Sequence, residues 1–177
     1  MDAVTKIWAV ALAVGLTAGW IDLRTRRIPN WLTVTGVLVG VVLHTYQSGV
    51  YGTAVALEGM FLALIIIFPL VLLRAMGAGD WKLMAALGAV LGPWMMLFVL
   101  AGAIFLAGFM AVVMIVRAKK VKETFYNMFV LVQGFLVFGL RANPEISLDN
   151  PALLKLPFGV AVAVASVICF VATRWTR

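Results

Sequence analysis

Trp94 to Val116 runs for 23 residues without a charged side chain, and Thr53 to Leu73 for 21 with Glu58 alone. A helix needs roughly 20 apolar residues to cross the hydrocarbon of a bilayer, and a chain that repeats such runs holds more apolar surface than one soluble core can hide. The composition agrees: of 177 residues, 64% are hydrophobic and 12% charged, where a soluble domain has roughly 45–50% and 25%. The fold this predicts is all-α, a polytopic integral membrane helical bundle in the lipid bilayer, with residues 1–177 as a single membrane-embedded domain.

Further spans are expected over Ala3 to Ile21, Trp31 to Leu43, a short Leu83 to Leu91, and Pro157 to Thr173. Polar connectors separate them: Asp22 to Asn30, His44 to Gly52, and a glycine-bearing break from Ala75 to Lys82. Gly92-Pro93 breaks the chain again. Phe125 to Leu140 is apolar but interrupted by Asn127, Gln133 and two glycines. Read as interfacial it leaves six spans, read as spanning it makes seven, and its shortness favours six. A turn-rich linker with Asn143-Pro144 and Asn150-Pro151 follows. Arg24, Arg26 and Arg27 come after the first apolar run, the reverse of a secretory signal, so that run reads as a retained span.

The net charge of +7 fits topology rather than a nucleic-acid partner, and no nucleic acid is expected. Connectors 22–30, 74–82 and 117–156 fall on one side and hold eleven of the fourteen basic residues, which marks that side as cytoplasmic. Cys169 is the sole cysteine, so neither a disulfide framework nor a paired-CxxC zinc site is available. His44, the sole histidine, falls at the outer end of its span, away from any nucleophile that it would need to activate. No metal and no cofactor are expected.

An ionised carboxylate in a bilayer is costly, so each acidic residue at a span needs a reason. Asp2, Glu123, Glu145 and Asp149 fall in polar tails or loops, and Glu58 reads as interfacial or satisfied by a partner. Asp22 and Asp80 remain. One out-and-back helical pair separates them, which sets both at one depth on the cytoplasmic side. Two carboxylates brought close together cannot both ionise comfortably; one keeps a proton, and the pair then acts as acid and base. That is the chemistry of aspartic proteolysis. Around Asp80, Gly77 and Gly79 are expected to give the backbone positive φ and close approach to another chain. The plainer reading is that the glycines break a helix and Asp80 caps the next one.

Asp22-Leu23-Arg24-Thr25-Arg26-Arg27-Ile28-Pro29-Asn30 and Gly77-Ala78-Gly79-Asp80-Trp81-Lys82 resemble the two signature regions of the type IV prepilin peptidases, the prepilin leader peptidases of the A24 aspartic peptidase family. Leu156-Pro157-Phe158-Gly159-Val160-Ala161 is similar to the start of that family's final helix. The resemblance implies that Asp22 and Asp80 are the catalytic pair, with Gly77, Gly79 and Lys82 in support. It further implies a prepilin or pseudopilin as substrate, cut at the cytoplasmic face of the inner membrane, commonly after a glycine and before the pilin's hydrophobic helix. Lys82 matches the motif, as a charge acting on an aspartate, a substrate contact or a topological anchor. Arg24, Arg26 and Arg27 read as orientation charges. Larger family members carry two CxxC pairs between their first two spans and also methylate the pilin. Here nine residues without cysteine take that place, similar to the short TadV/CpaA-like type of tight-adherence (Flp-type) pilus systems, and methylation is not expected.

Gly-x-Gly-Asp and Pro151-Ala152-Leu153 also resemble elements of presenilin and signal peptide peptidase, which are longer and have more spans. A small proton-coupled transporter or channel subunit, with Asp22 and Asp80 as a relay, is the alternative outside the peptidases.

Overall fold

The computed structural model describes residues 3–72, 76–119, 121, 122, 124, 126 and 156–175. Outside them lie the linker turns, Pro151-Ala152-Leu153, the acidic residues Asp2, Glu123, Glu145 and Asp149, and, but for Tyr126, the segment expected to be interfacial. Within them are four helices long and apolar enough to cross a membrane: α1 (Ala3–Thr25), α2 (Asn30–Leu72), α3 (Ala78–Arg117) and α4 (Phe158–Trp175).

α1 continues a turn past its expected end at Ile21, because Asp22-Leu23-Arg24 contains no breaker. It stops where Arg26 takes a left-handed conformation (φ 53°) and its N–H bonds the Asp22 carbonyl at 2.9 Å. Asp22 therefore sits in the last helical turn rather than in a connector.

The two longest helices are each two arms joined by a reversal. In α2 the non-helical residues are Ser48 and Gly49 (φ 59°). Thr45 and Thr53 hydroxyls lie 2.7 Å apart, whereas eight residues of continuous helix would hold them roughly 12 Å apart. The connector expected over His44 to Gly52 thus shrinks to two residues, the rest being helical. In α3 the break is Gly92 (φ 74°), followed by Pro93. His44 closes this corner, its Nε2 lying 3.0 Å from the Val90 carbonyl, which the break deprives of a helical partner.

The arm 78–91 is the centre of the bundle, with every residue from Leu83 to Gly92 buried. Both arms of α2 close on it through small residues. A Cβ on Gly40 would come within 2.7 Å of the Ala89 backbone, and one on Gly59 within 2.1 Å of the Gly88 carbonyl oxygen. Gly15 and Gly19 of α1 likewise face Ser166 and Ala163 of α4. Lipid supplies no hydrophobic drive between helices, so close backbone approach and dispersion hold such a bundle. Large side chains turn outward instead: Leu38, Ile65 and Phe105 are all more than half exposed. Such an exterior belongs to a protein that crosses a membrane several times.

Candidate active site

The C-terminus of α1, the N-terminal ends of α2, α3 and α4, and the segment 26–29 meet at one end of the bundle. Arg174 of α4 donates to Thr5 of α1 at the other end (3.4 Å), so those two helices run antiparallel. Asp22, at the near end, is buried with 6% of its surface exposed. Its Oδ2 accepts the Gly159 N–H at 2.9 Å. That amide belongs to the first turn of α4, where backbone donors lack helical partners and favour a negative charge. A Cβ on Gly159 would lie 3.0 Å from the Asp22 Cβ, so a larger residue there would have to displace the aspartate side chain.

Asp80 occupies the third position of α3 and is half-buried. Its carboxylate accepts the N–H of Gly77, the residue before the helix, which is half of a capping box. Asp80 thus lies in the first turn and is not the N-cap, which is Gly77; the capping reading is off by three residues, although the carboxylate still favours this helix end. Nor does that reading use the whole group: Asp22 and Asp80 line one cavity of about 720 Å³ and are close enough to interact electrostatically.

The two glycines serve differently from the sequence expectation. Gly77 has φ −72° and Gly79 is not among the positive-φ residues, because α3 already begins at Ala78. Close approach is what they supply: a Cβ on Gly77 would stand 3.2 Å from Asp80 Oδ2, and one on Gly79 3.3 Å from the Ile28 Cβ.

Lys82 does not line the cavity. It donates to Asn30 Oδ1 at 3.0 Å, tying the start of α3 to the start of α2 and joining one signature region to the other. Trp81 points to the return arm of α2, its indole N–H donating to the Leu64 carbonyl at 2.9 Å. The three arginines part company. Arg24 stacks over Trp20 at 4.3 Å, while Arg26 and Arg27 line the cavity, and Arg26 acts electrostatically on Asp22. The sequence reading missed Asn30 as the Lys82 partner, Gly159 as the Asp22 donor, and the apolar wall of Ile28, Leu70, Ile104, Ala107, Gly108 and Ala111. Only the resemblance at 156–161 had pointed near Gly159.

One buried and one half-buried carboxylate share a cavity that is apolar on one side and basic at its edge, an arrangement with the groups that acid–base chemistry on a partly apolar chain would need. The family model of the type IV leader peptidase family matches residues 9–112, which include both aspartates. The chain belongs to the type IV leader peptidase family and is a peptidase by that membership. No curated protein and no solved structure matches it.

Proposed function

We propose that this protein is an aspartic endopeptidase of the inner membrane that removes the leader peptide from Flp-type (tight-adherence) prepilins at the cytoplasmic face. What carries the reading is the cavity shared by Asp22 and Asp80, both within the matched region but far apart along the chain. The chain forms one membrane-embedded domain of six spans: α1, two arms each of α2 and α3, and α4. In this topology the near end of the bundle faces the cytoplasm, in keeping with the basic residues at positions 24–27 and 117–119.

In the reaction, the ionised aspartate takes a proton from water as the oxygen attacks the scissile carbonyl, while the protonated one donates to the carbonyl oxygen. The tetrahedral intermediate collapses as the C–N bond breaks and the departing nitrogen receives a proton from the pair. Asp22 has both the Gly159 amide and the Arg26 charge beside it, so it is the better placed to remain charged, and Asp80 carries the proton. Lys82 positions the two signature regions through Asn30 and takes no part in the bond-breaking step.

The test is cleavage of an Flp-type prepilin by the enzyme reconstituted in vesicles, with the product read by mass spectrometry. A cut between leader and hydrophobic helix, leaving a free, unmethylated amine, is the expected result. An intact prepilin contradicts the peptidase reading, and a methylated product when S-adenosylmethionine is added as methyl donor contradicts the expected lack of methylation.

A further inference from the structure

The cavity wall opposite in character to the aspartates belongs to the second arm of α3. Ile104, Ala107, Gly108 and Ala111 recur at helical spacing and so form one face, joined by Ile28 and Leu70. Ile104 and Asp80 are both twelve residues from the Gly92 turn, which sets them level on the two arms; Gly108 follows one helical turn beyond. Ile104 is 50% exposed and Gly108 is exposed, so among the described residues the face is open at these two positions, while Ala107 packs against the core.

Two glycines on the arm differ in what they do. A Cβ on Gly102 would meet the Ala165 Cβ at 3.3 Å, so that glycine lets α3 pack on α4. A Cβ on Gly108 meets nothing within 4 Å among the described residues, and Gly108 is not in a positive-φ conformation. Glycine weakens a helix interior relative to alanine, and at 108 neither packing among the described residues nor backbone geometry calls for it. What its missing side chain leaves is space in the cavity that holds both aspartates.

We propose that Gly108 is a specificity-determining residue: the gap beside it receives the substrate side chain next to the scissile bond, on the apolar side of the cut. The inference rests on the peptidase reading above. A substrate lying across the site has to put its apolar segment against Ile104, Gly108 and Ala111, since the edge formed by Arg26 and Arg27 suits its polar segment. A larger residue at 108 grows into the gap and rejects large substrate side chains at that position, while small ones still enter.

The experiment uses the full chain in vesicles as wild type, Gly108→Ala and Gly108→Leu. Each is given two prepilins, with Ala or Phe as the first residue after the cut. The rate ratio of the Ala to the Phe substrate is expected to rise stepwise with the size of residue 108, by about tenfold or more from wild type to Gly108→Leu. A ratio constant to within about twofold across the series overturns the inference and leaves the peptidase reading intact. An equal loss on both substrates, already present in Gly108→Ala, makes Gly108 part of the scaffold and overturns it too. If the wild type cuts neither prepilin, the peptidase reading falls and the inference with it.

Discussion

Asp22 reaches its place through a single amide from a helix 137 residues away. Gly159→Ala puts a methyl group where the Asp22 side chain now lies, and we expect the carboxylate to move off the amide. The stability loss from such overpacking is about 1–3 kcal/mol, and cleavage should fall by much more than the loss of folded protein explains. Gly102→Ala is the matched control, since its Cβ is also crowded by α4 but is remote from Asp22. Comparable melting shifts with cleavage lost only in Gly159→Ala is the predicted outcome; equal cleavage in the two would show that the amide is dispensable. The Lys82–Asn30 bond is exposed and single, so Lys82→Met and Asn30→Ala should each cost only about 0.5–1 kcal/mol. The double variant should then be no worse than either single one, which a double-mutant cycle in detergent measures. At this scale Asp22 and Asp80 were legible because a carboxylate in a bilayer demands a reason. Gly159, Asn30 and Gly108 were not, since a partner far along the chain, or an empty space, leaves no mark in local spacing.

Most of what helix α2 buries is small, with Gly36, Gly40, Gly52, Ala56, Gly59 and Ala63 turned inward, while Leu32 and Ile67 are buried near its two ends. Between Gly59 and Gly88 the backbones are in direct contact. Gly59→Leu should separate the central arm from its neighbour and cost more than about 3 kcal/mol, seen as loss of monodisperse protein in detergent; an unchanged melting temperature would refute that packing. Gly49→Ala is a different case, with nothing within 4 Å of the new methyl group. With φ 59° and ψ −138° Gly49 sits in a region that glycine alone enters readily, so the alanine costs about 1–3 kcal/mol in the same measurement. The break at Gly92-Pro93 was readable from two residues whose chemistry interrupts a helix. The corner at Ser48-Gly49 was read as a nine-residue connector because polar Thr45, Tyr46 and Gln47 look like loop, although Thr45 bonds back to Val41 within the helix. Hydropathy also gave no sign of which face of α2 turns inward, because lipid and protein interior are equally apolar.

Over the whole molecule, the reversals at Gly49 and Gly92 lie at the end opposite the aspartates, and the sequence indicated this through the distribution of basic residues. The proposed six-span topology predicts sided labelling in a Cys169→Ser background. Ser48→Cys should react with an impermeant thiol reagent from the periplasm, and Lys119→Cys only after the membrane is permeabilised; the reverse pattern would invert the proposed orientation. What binds these levels together is a pair of carboxylates that share one cavity and that, in the proposed mechanism, act together on one peptide bond. The most direct test is the cleavage rate of a prepilin by purified wild type, Asp22→Asn and Asp80→Asn. Asparagine keeps the shape of either side chain and, at position 22, an oxygen to accept the Gly159 amide, so both variants should fold and melt much as wild type does. Each should lose cleavage by on the order of a thousandfold, because an amide can neither take up nor deliver the proton. A folded variant of either kind that cleaves within about tenfold of wild type would contradict the two-aspartate mechanism.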